Sequence, residues 1–258
     1  MKTMNLTIIM SVRIDSQERL ANLLTTVRYY LACADVDVII VESDTESKCG
    51  QQVLEIGLDR VQHVFVYDQS PILHRTKYMN YGFRRVHTTY AANIDSDIIV
   101  PREQLYYAYR LISQFDHVMV IPYDGRCIMV GEDEASIIRK NVTHDQLVIE
   151  SDVLMFGKWS VGGAYLVNVN KYKDQGWENE NIAAWGLEDA ERVARVEILG
   201  CRPVFIPGVI YHLYHPRGLN SYYPTKHLAL TSKREYCKVC SMMPDELKEY
   251  VKTWTWIY

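Results

Sequence analysis

The sequence predicts a mixed α/β domain with an open central sheet. Strand-like and helix-like runs alternate through its first half, no repeat or Pro/Gly/Ser-rich linker interrupts them, and 258 residues suit one hydrophobic core. Hydrophobic residues at 48% and charged residues at 23% supply the apolar surface such a core needs. We therefore expect one domain over 1–258, with a first half to about residue 100, a second to about residue 220, and a C-terminal extension over 221–258.

The first strand is expected at 5–12, where apolar and β-branched residues crowd together, and Ser16 is placed to cap a helix running to about residue 32. Residues 36–42 read as a buried strand and 61–67 as another; 73–86 read as a helix and 90–94 as a strand. Pro101 then opens a helix at its favoured first position. A strand at 117–121, a polar stretch from Gly131 to about Asp152 and a strand-like run at 159–169 follow. Residues 188–199 form a helix stopped by Gly200, short strands flank Pro207, and a last helix spans 244–252. The tail Trp254-Thr255-Trp256-Ile257-Tyr258 is expected to pack on the domain, with peripheral contact at a membrane interface as its other use.

Composition excludes several classes. With 28 basic against 32 acidic residues the formal charge is −4, which gives no footprint for nucleic acid. The opening run is broken by Asn5 and Thr7 and soon meets Arg13 and Asp15, a strand rather than a signal peptide, and no stretch approaches the roughly 18 apolar residues of a membrane span. The expected location is the cytoplasm. Cys33, Cys49, Cys127, Cys201, Cys237 and Cys240 are scattered, as reduced thiols would be; Cys237 and Cys240 form a lone C-x-x-C without the second pair a zinc site needs. Asn141-Val142-Thr143 fits a glycosylation acceptor only by chance in such a protein.

Three motifs can carry chemistry. Asp95-Ser96-Asp97 directly follows a strand, where open α/β sheets form ligand crevices; the pair can hold a hard cation on a diphosphate, or simply make a polar turn. His212 and His215, three residues apart after a short strand, can meet one ion or merely satisfy loop carbonyls, and Arg217 beside them can pair with phosphate. A mixed Asp and His set points first to Mn²⁺, with Mg²⁺ the second choice. In Trp185-Gly186-Leu187-Glu188-Asp189-Ala190-Glu191 three acids crowd the first turn of a helix, where the dipole favours them and where one could act as a general base.

Together these segments resemble the β-1,4-galactosyltransferase family and the related bacterial capsule and chondroitin-type polymerases, whose Trp-Gly-x-Glu-Asp motif matches Trp185–Asp189. Leu73–Phe83 resembles the family's donor-binding helix, Asn93–Pro101 its metal strand and Val161-Gly162-Gly163-Ala164 the Gly-Gly step before its acceptor loop, all in the family's order over about 5–220. The resemblance implies a GT-A-like, Rossmann-like nucleotide-diphospho-sugar transferase domain with a mixed central sheet. It implies that residues to about 100 bind the nucleotide sugar and that 101–220 supply acceptor and metal sites. Arg75 and Gly163 would contact the donor, Asp97 the metal, and Asp95 the ribose or the metal. Asp189 would be the base, and Glu188, with Trp185 and Gly186, would hold the acceptor. The family's final metal ligand is a His after a strand, which leaves His212, His215 or both. Arg13 and Glu42 or Asp44 lie where such folds recognise uridine. One departure is Leu187, which stands where the family motif commonly has Gly.

The implied activity is inverting, Mn²⁺-dependent transfer of a hexose or N-acetylhexosamine, galactose or N-acetylgalactosamine favoured, from a UDP-sugar to a hydroxyl of a saccharide or glycolipid. A non-catalytic nucleotide-sugar or carbohydrate-binding module is the alternative from another class. A nucleotidyltransferase ranks lower, because residues 8–20 contain no Gly for a phosphate loop.

Overall fold

The computed structural model describes residues 4–57, 59–142, 149–155, 157–183, 186–222 and 225–257. A seven-stranded sheet runs in the order β3-β2-β1-β4-β8-β6-β9. Its members are β1 (Leu6–Val12), β2 (Asp37–Asp44), β3 (Val61–Tyr67), β4 (Tyr90–Ile94), β6 (Met119–Ile121), β8 (Ala164–Asn168) and β9 (Val204–Phe205). Strands β3, β2, β1 and β4 are parallel, β8 runs antiparallel to both β4 and β6, and β6 pairs parallel with β9, so the sheet is mixed as expected. Strand β1 lies between β2 and β4 with Leu6, Ile8, Ile9 and Met10 fully buried, the near-continuous apolar run of a strand covered on both faces.

Helix α1 (Gln17–Cys33) starts where expected: Ser16 is extended and its hydroxyl accepts from the backbone N–H of Arg19 at 3.2 Å. Helix α2 (Gly50–Ile56), α3 (Arg75–Phe83) and α4 (Arg102–Gln114) follow their strands. Pro101 occupies the cap of α4 rather than its first helical position, since its ψ of 138° is extended.

A small sheet β5-β10-β7, made of Ile98–Ile99, Val209–His212 and Arg126–Met129, closes the C-terminal edge of the large one. Its register sets His212 opposite Ile98, one residue beyond Asp97, and the Leu213 N–H donates to the Asp97 carbonyl at 2.8 Å. Two motifs more than a hundred residues apart in sequence are joined by this pairing.

The stretch after Gly131 departs from its polar-loop reading. Helix α5 (Glu132–Asn141) lies there, with three acids in its first turn, Arg139 and Lys140 in its last, and Ala135 and Ile138 buried. Helix α6 (Val169–Asp174) ends the run expected as strand up to Val169. Helix α7 (Glu188–Ile198) is followed by Gly200 at φ 87°, the left-handed stop the sequence indicated.

The C-terminal extension is a pair of helices, α8 (Lys226–Cys240) and α9 (Pro244–Lys252), packed against α7. Val239, Leu247, Val251, Trp254 and Ile257 form a core of their own, with Ile198 and Leu199 of α7 against it. Trp254 and Ile257 of the tail are thus turned inward: Trp254 is 2% exposed and fills the space left by Gly176, where a Cβ would stand 2.6 Å from its ring. All six cysteines are free. No helix among the described residues is long and apolar enough to cross a membrane.

Candidate active site

A cavity of about 380 Å³ opens at the carboxyl ends of β1 and β4, the position at which open α/β sheets bind ligands. Arg13, Arg75, Asp95, Asp97, Gly163, Gly186, Glu188, Asp189, His212 and His215 all line it, so most of the residues singled out in the sequence converge on one space. Trp185 and Thr143 lie outside the described residues.

On one wall Asp97, His212 and His215 offer ligand atoms within 4.8 Å of one another. His215 Nε2 is 3.2 Å from Asp97 Oδ2, and His212 Nε2 is 3.8 Å from Oδ1. His215 Nδ1 lies 2.8 Å from the Pro216 carbonyl; donating there leaves the lone pair on Nε2, which faces Asp97, the tautomer a metal ligand requires. Burial pushes His212 below the usual imidazole range, and this favours the neutral ring that ligates. Its Nδ1 is buried without a hydrogen-bond partner among the described residues. Burial works against ionisation of Asp97, but His212, His215 and Arg19 together hold its carboxyl well below the usual range. A carboxylate and two imidazoles fit Mn²⁺. Both histidines converge on Asp97, so the geometry is compatible with either or both as ligands.

The start of α7 also lines the cavity. Asp189 accepts from Arg192 Nη1 at 2.8 Å through Oδ1, while Oδ2 lies over Gly162, where a Cβ would stand 2.2 Å away. Arg192 is 1% exposed, forks onto Glu178 at 2.9 and 3.0 Å, and lies 4.0 Å from the ring centre of Tyr165. Glu178 also accepts from the hydroxyls of Tyr165 and Tyr172, each at 2.6 Å. Asp189 is therefore moored to a buried, satisfied network that sequence reading missed. Its signal was present, because Arg192 follows Asp189 by three residues on one helical face.

Glu188 is 3% exposed, and its Oε2 has no hydrogen-bond partner among the described residues. Burial, and then the charge of Asp189, pushes its carboxyl up to about 8. In the same cavity, Arg75 donates to Asp95, whose carboxyl burial raises to about 6 despite that cation. Gly163, at φ 84°, lets the chain turn from the cavity floor into β8, and its N-terminal neighbour Gly162 lies against the Asp189 carboxylate. Gly186 and Leu187 enter α7 with φ of 87° and 70°. Leu187 thus adopts the left-handed conformation that the family's Gly would adopt without strain.

Beside this cavity Arg13, Asp44, Lys48, Asp68 and Asn220 border a second, shallower pocket. Arg13 donates to the carbonyls of Ser43 and Ser70, both at 2.7 Å, and to Asp68 at 3.0 Å, tying together the ends of β1, β2 and β3. Glu42 is not among these residues and needs correction as a donor contact. It is fully buried and its oxygens accept from the Ser47 hydroxyl and the Lys48 N–H, each at 2.7 Å, and from the Cys49 N–H at 3.2 Å. His63 Nε2 lies 2.8 Å away. Although Glu42, Cys49 and His63 cluster closely enough to ligate a metal, that carboxylate is already occupied in holding the turn into α2.

No family profile matches the sequence, and no curated protein sequence matches it. Solved structures do resemble the fold. A mannosyltransferase from Pyrobaculum calidifontis, in complex with GDP-Man and Mn²⁺, superposes with a TM-score of 0.57 at 13% identity over 96% of this chain and 68% of its own. GalNAc-T7 with UDP, GalNAc and Mn²⁺ gives 0.61 at 12% identity over 97% of this chain and 50% of its own. TarS from S. aureus gives 0.60 at 12% identity over 96% of this chain and 42% of its own. The fold is that of the GT-A glycosyltransferases. This chain spans half the length of the GalNAc-T7 chain and less of the TarS chain. At such identities the likeness concerns architecture, and it leaves the narrower galactosyltransferase resemblance resting on the sequence motifs.

Proposed function

We propose that the protein is a Mn²⁺-dependent, inverting glycosyltransferase that moves a hexose or N-acetylhexosamine from a UDP-sugar to a hydroxyl of a saccharide or glycolipid, with galactose or N-acetylgalactosamine as the favoured sugar. The observation that carries this reading is the convergence of two sets on one cavity: Asp97, His212 and His215, and an Asp189 held by Arg192. The GT-A fold supports it, as does the presence of nucleotide sugars or nucleotides with Mn²⁺ in two of the structural neighbours.

Asp97, His212 and His215 would hold the cation, which when bound neutralises charge developing on the departing diphosphate. Arg13 and Asp44 border the pocket suited to the uracil and ribose, and the paired Arg75 and Asp95 lie between that pocket and α7. Glu188, protonated at neutral pH by its raised pKa, can donate to an oxygen of the acceptor and so orient it. Asp189 Oδ2 takes the proton of the attacking hydroxyl while Oδ1 remains fixed by Arg192. Attack on the anomeric carbon from the side opposite the diphosphate inverts it in one displacement, with no covalent sugar–enzyme intermediate.

The test is UDP release from a panel of UDP-sugars with candidate saccharide acceptors, in Mn²⁺ and in EDTA, for the unaltered protein, Asp97→Ala and Asp189→Asn. Metal-dependent release lost in both variants is expected, with NMR showing an inverted anomeric centre. A retained configuration overturns the mechanism. Donor binding without turnover on any acceptor favours the non-catalytic binding module.

A further inference from the structure

We infer that Arg19, in the first turn of α1, is the side chain that grips the donor's diphosphate beside the metal ligands. This inference rests on the nucleotide-sugar reading above. Arg19 reaches into the cavity with its side chain 17% exposed. Its Nε pairs with Asp15 at 2.8 Å, its Nη2 donates to the Ser221 hydroxyl at 3.1 Å, and its Nη1 lies 3.7 Å from Asp97 Oδ2. That last separation is beyond hydrogen-bond length, so one arm of the fork is held near the metal set without being committed to it.

The neighbouring cations are engaged differently. Arg75 donates to Asp95, Arg13 is spread over two carbonyls and Asp68, Arg192 is shut behind Asp189 by Glu178, and Arg217, the phosphate partner that the sequence suggests, also lines the cavity but is exposed to solvent. Oxygens that share one octahedral cation lie roughly 3 Å apart. Phosphate oxygens meeting a cation on Asp97 would therefore arrive within reach of Arg19 Nη1. A cation on Asp97 also repels the guanidinium, which favours its turning from Asp97 to a phosphate oxygen. Guanidinium is well matched to that acceptor. Through Ser221 the same side chain braces the segment that follows His215, while Asn22, also on α1, donates to the Leu213 and Tyr214 carbonyls just before that histidine at 3.4 and 3.1 Å. One residue thus links Asp97, the proposed phosphate position and the chain that follows His215.

The experiment is calorimetric titration of UDP and GDP into the unaltered protein, Arg19→Ala and Arg19→Lys with Mn²⁺ present, repeated in EDTA. Uridine binding is followed in parallel by ligand-observed NMR, and circular dichroism melting checks each fold. Loss of one charge-assisted contact predicts UDP binding weakened about tenfold to a hundredfold in Arg19→Ala, with Arg19→Lys between that variant and the unaltered protein. Uridine binding stays within about twofold, and the Arg19→Ala effect is smaller in EDTA. UDP binding unchanged in Arg19→Ala overturns the inference, and so does an equal loss of UDP and uridine, which would mark a purely structural role. Failure of the unaltered, folded protein to bind either diphosphate with Mn²⁺ would instead overturn the donor reading itself and take this inference with it.

Discussion

Arg192 and Asp189 are bonded Nη1 to Oδ1 at 2.8 Å, and the arginine that makes this bond is itself locked by a bidentate pair with Glu178. Asp189, the proposed base, is held by one oxygen, and its other oxygen lies over Gly162. Arg192→Lys keeps the charge but loses the fork, and a misplacement of about 1 Å at a reacting group costs up to about a hundredfold in rate. We expect kcat to fall at least about tenfold with the donor KM little changed, measured well below the variant's melting temperature. An unchanged kcat would show that Asp189 needs no such anchor.

Gly162 is predicted to tolerate no side chain. The Cβ of Gly162→Ala would stand 2.2 Å from Asp189 Oδ2, so the carboxylate must turn away from the acceptor position. Turnover should drop by about a hundredfold while UDP binding with Mn²⁺ persists. Parallel turnover and calorimetry on the purified variant check both halves.

Glu188 makes stability depend on pH in a stated direction. Its folded pKa is raised from 4.5 to about 8, so the native state holds the proton longer than the unfolded chain does. Its contribution is complete below 4.5 and is lost as pH rises through about 8. Melting curves of Glu188→Gln should therefore gain on the unaltered protein between pH 5 and pH 9. A constant difference across that range would contradict the assignment.

Metal binding should be visible without turnover. A ligand at a hundred times its Kd stabilises the native state by about 2.7 kcal/mol, which for a chain of this size is a melting shift of about 5–10 °C. Mn²⁺ should produce such a shift in the unaltered protein, EDTA should reverse it, and Asp97→Ala should abolish it. His212→Ala and His215→Ala should each reduce it, because both rings face Asp97. A shift retained in both histidine variants would place the ion elsewhere.

Much of the site was legible because its parts are local motifs at element ends. Asp97 follows β4, Glu188 and Asp189 begin α7, and His212 ends β10, so strand and helix boundaries drew attention to them, and the family resemblance implied their roles. Glu42 misled because its depth is set by distant cover: it still pairs in register with Val12 inside the sheet, and residues 47–49 and His63 close over it. Asp44, two residues on, reaches the open pocket. Arg19 left no signal, since an arginine in a first helical turn reads as a solvated residue until the segment after His215 is placed against it. Helices α5 and α8 were missed for a related reason: each buries few side chains, and most of its residues are polar and face outward.

The mooring of α7 extends behind the cavity. Arg195, fully buried, pairs with Glu191 at 2.8 Å and donates to the Trp177 carbonyl at 2.6 Å. Asn179 reaches Glu235 of α8 at 2.9 Å, and Tyr250 of α9 reaches the same carboxylate at 2.8 Å. The two C-terminal helices act as a backstop for the helix that bears Glu188 and Asp189. A substitution on that remote hairpin could therefore retune the alignment of Asp189 while leaving every nucleotide contact intact, giving the fold a second dial on its chemistry, set apart from the cavity.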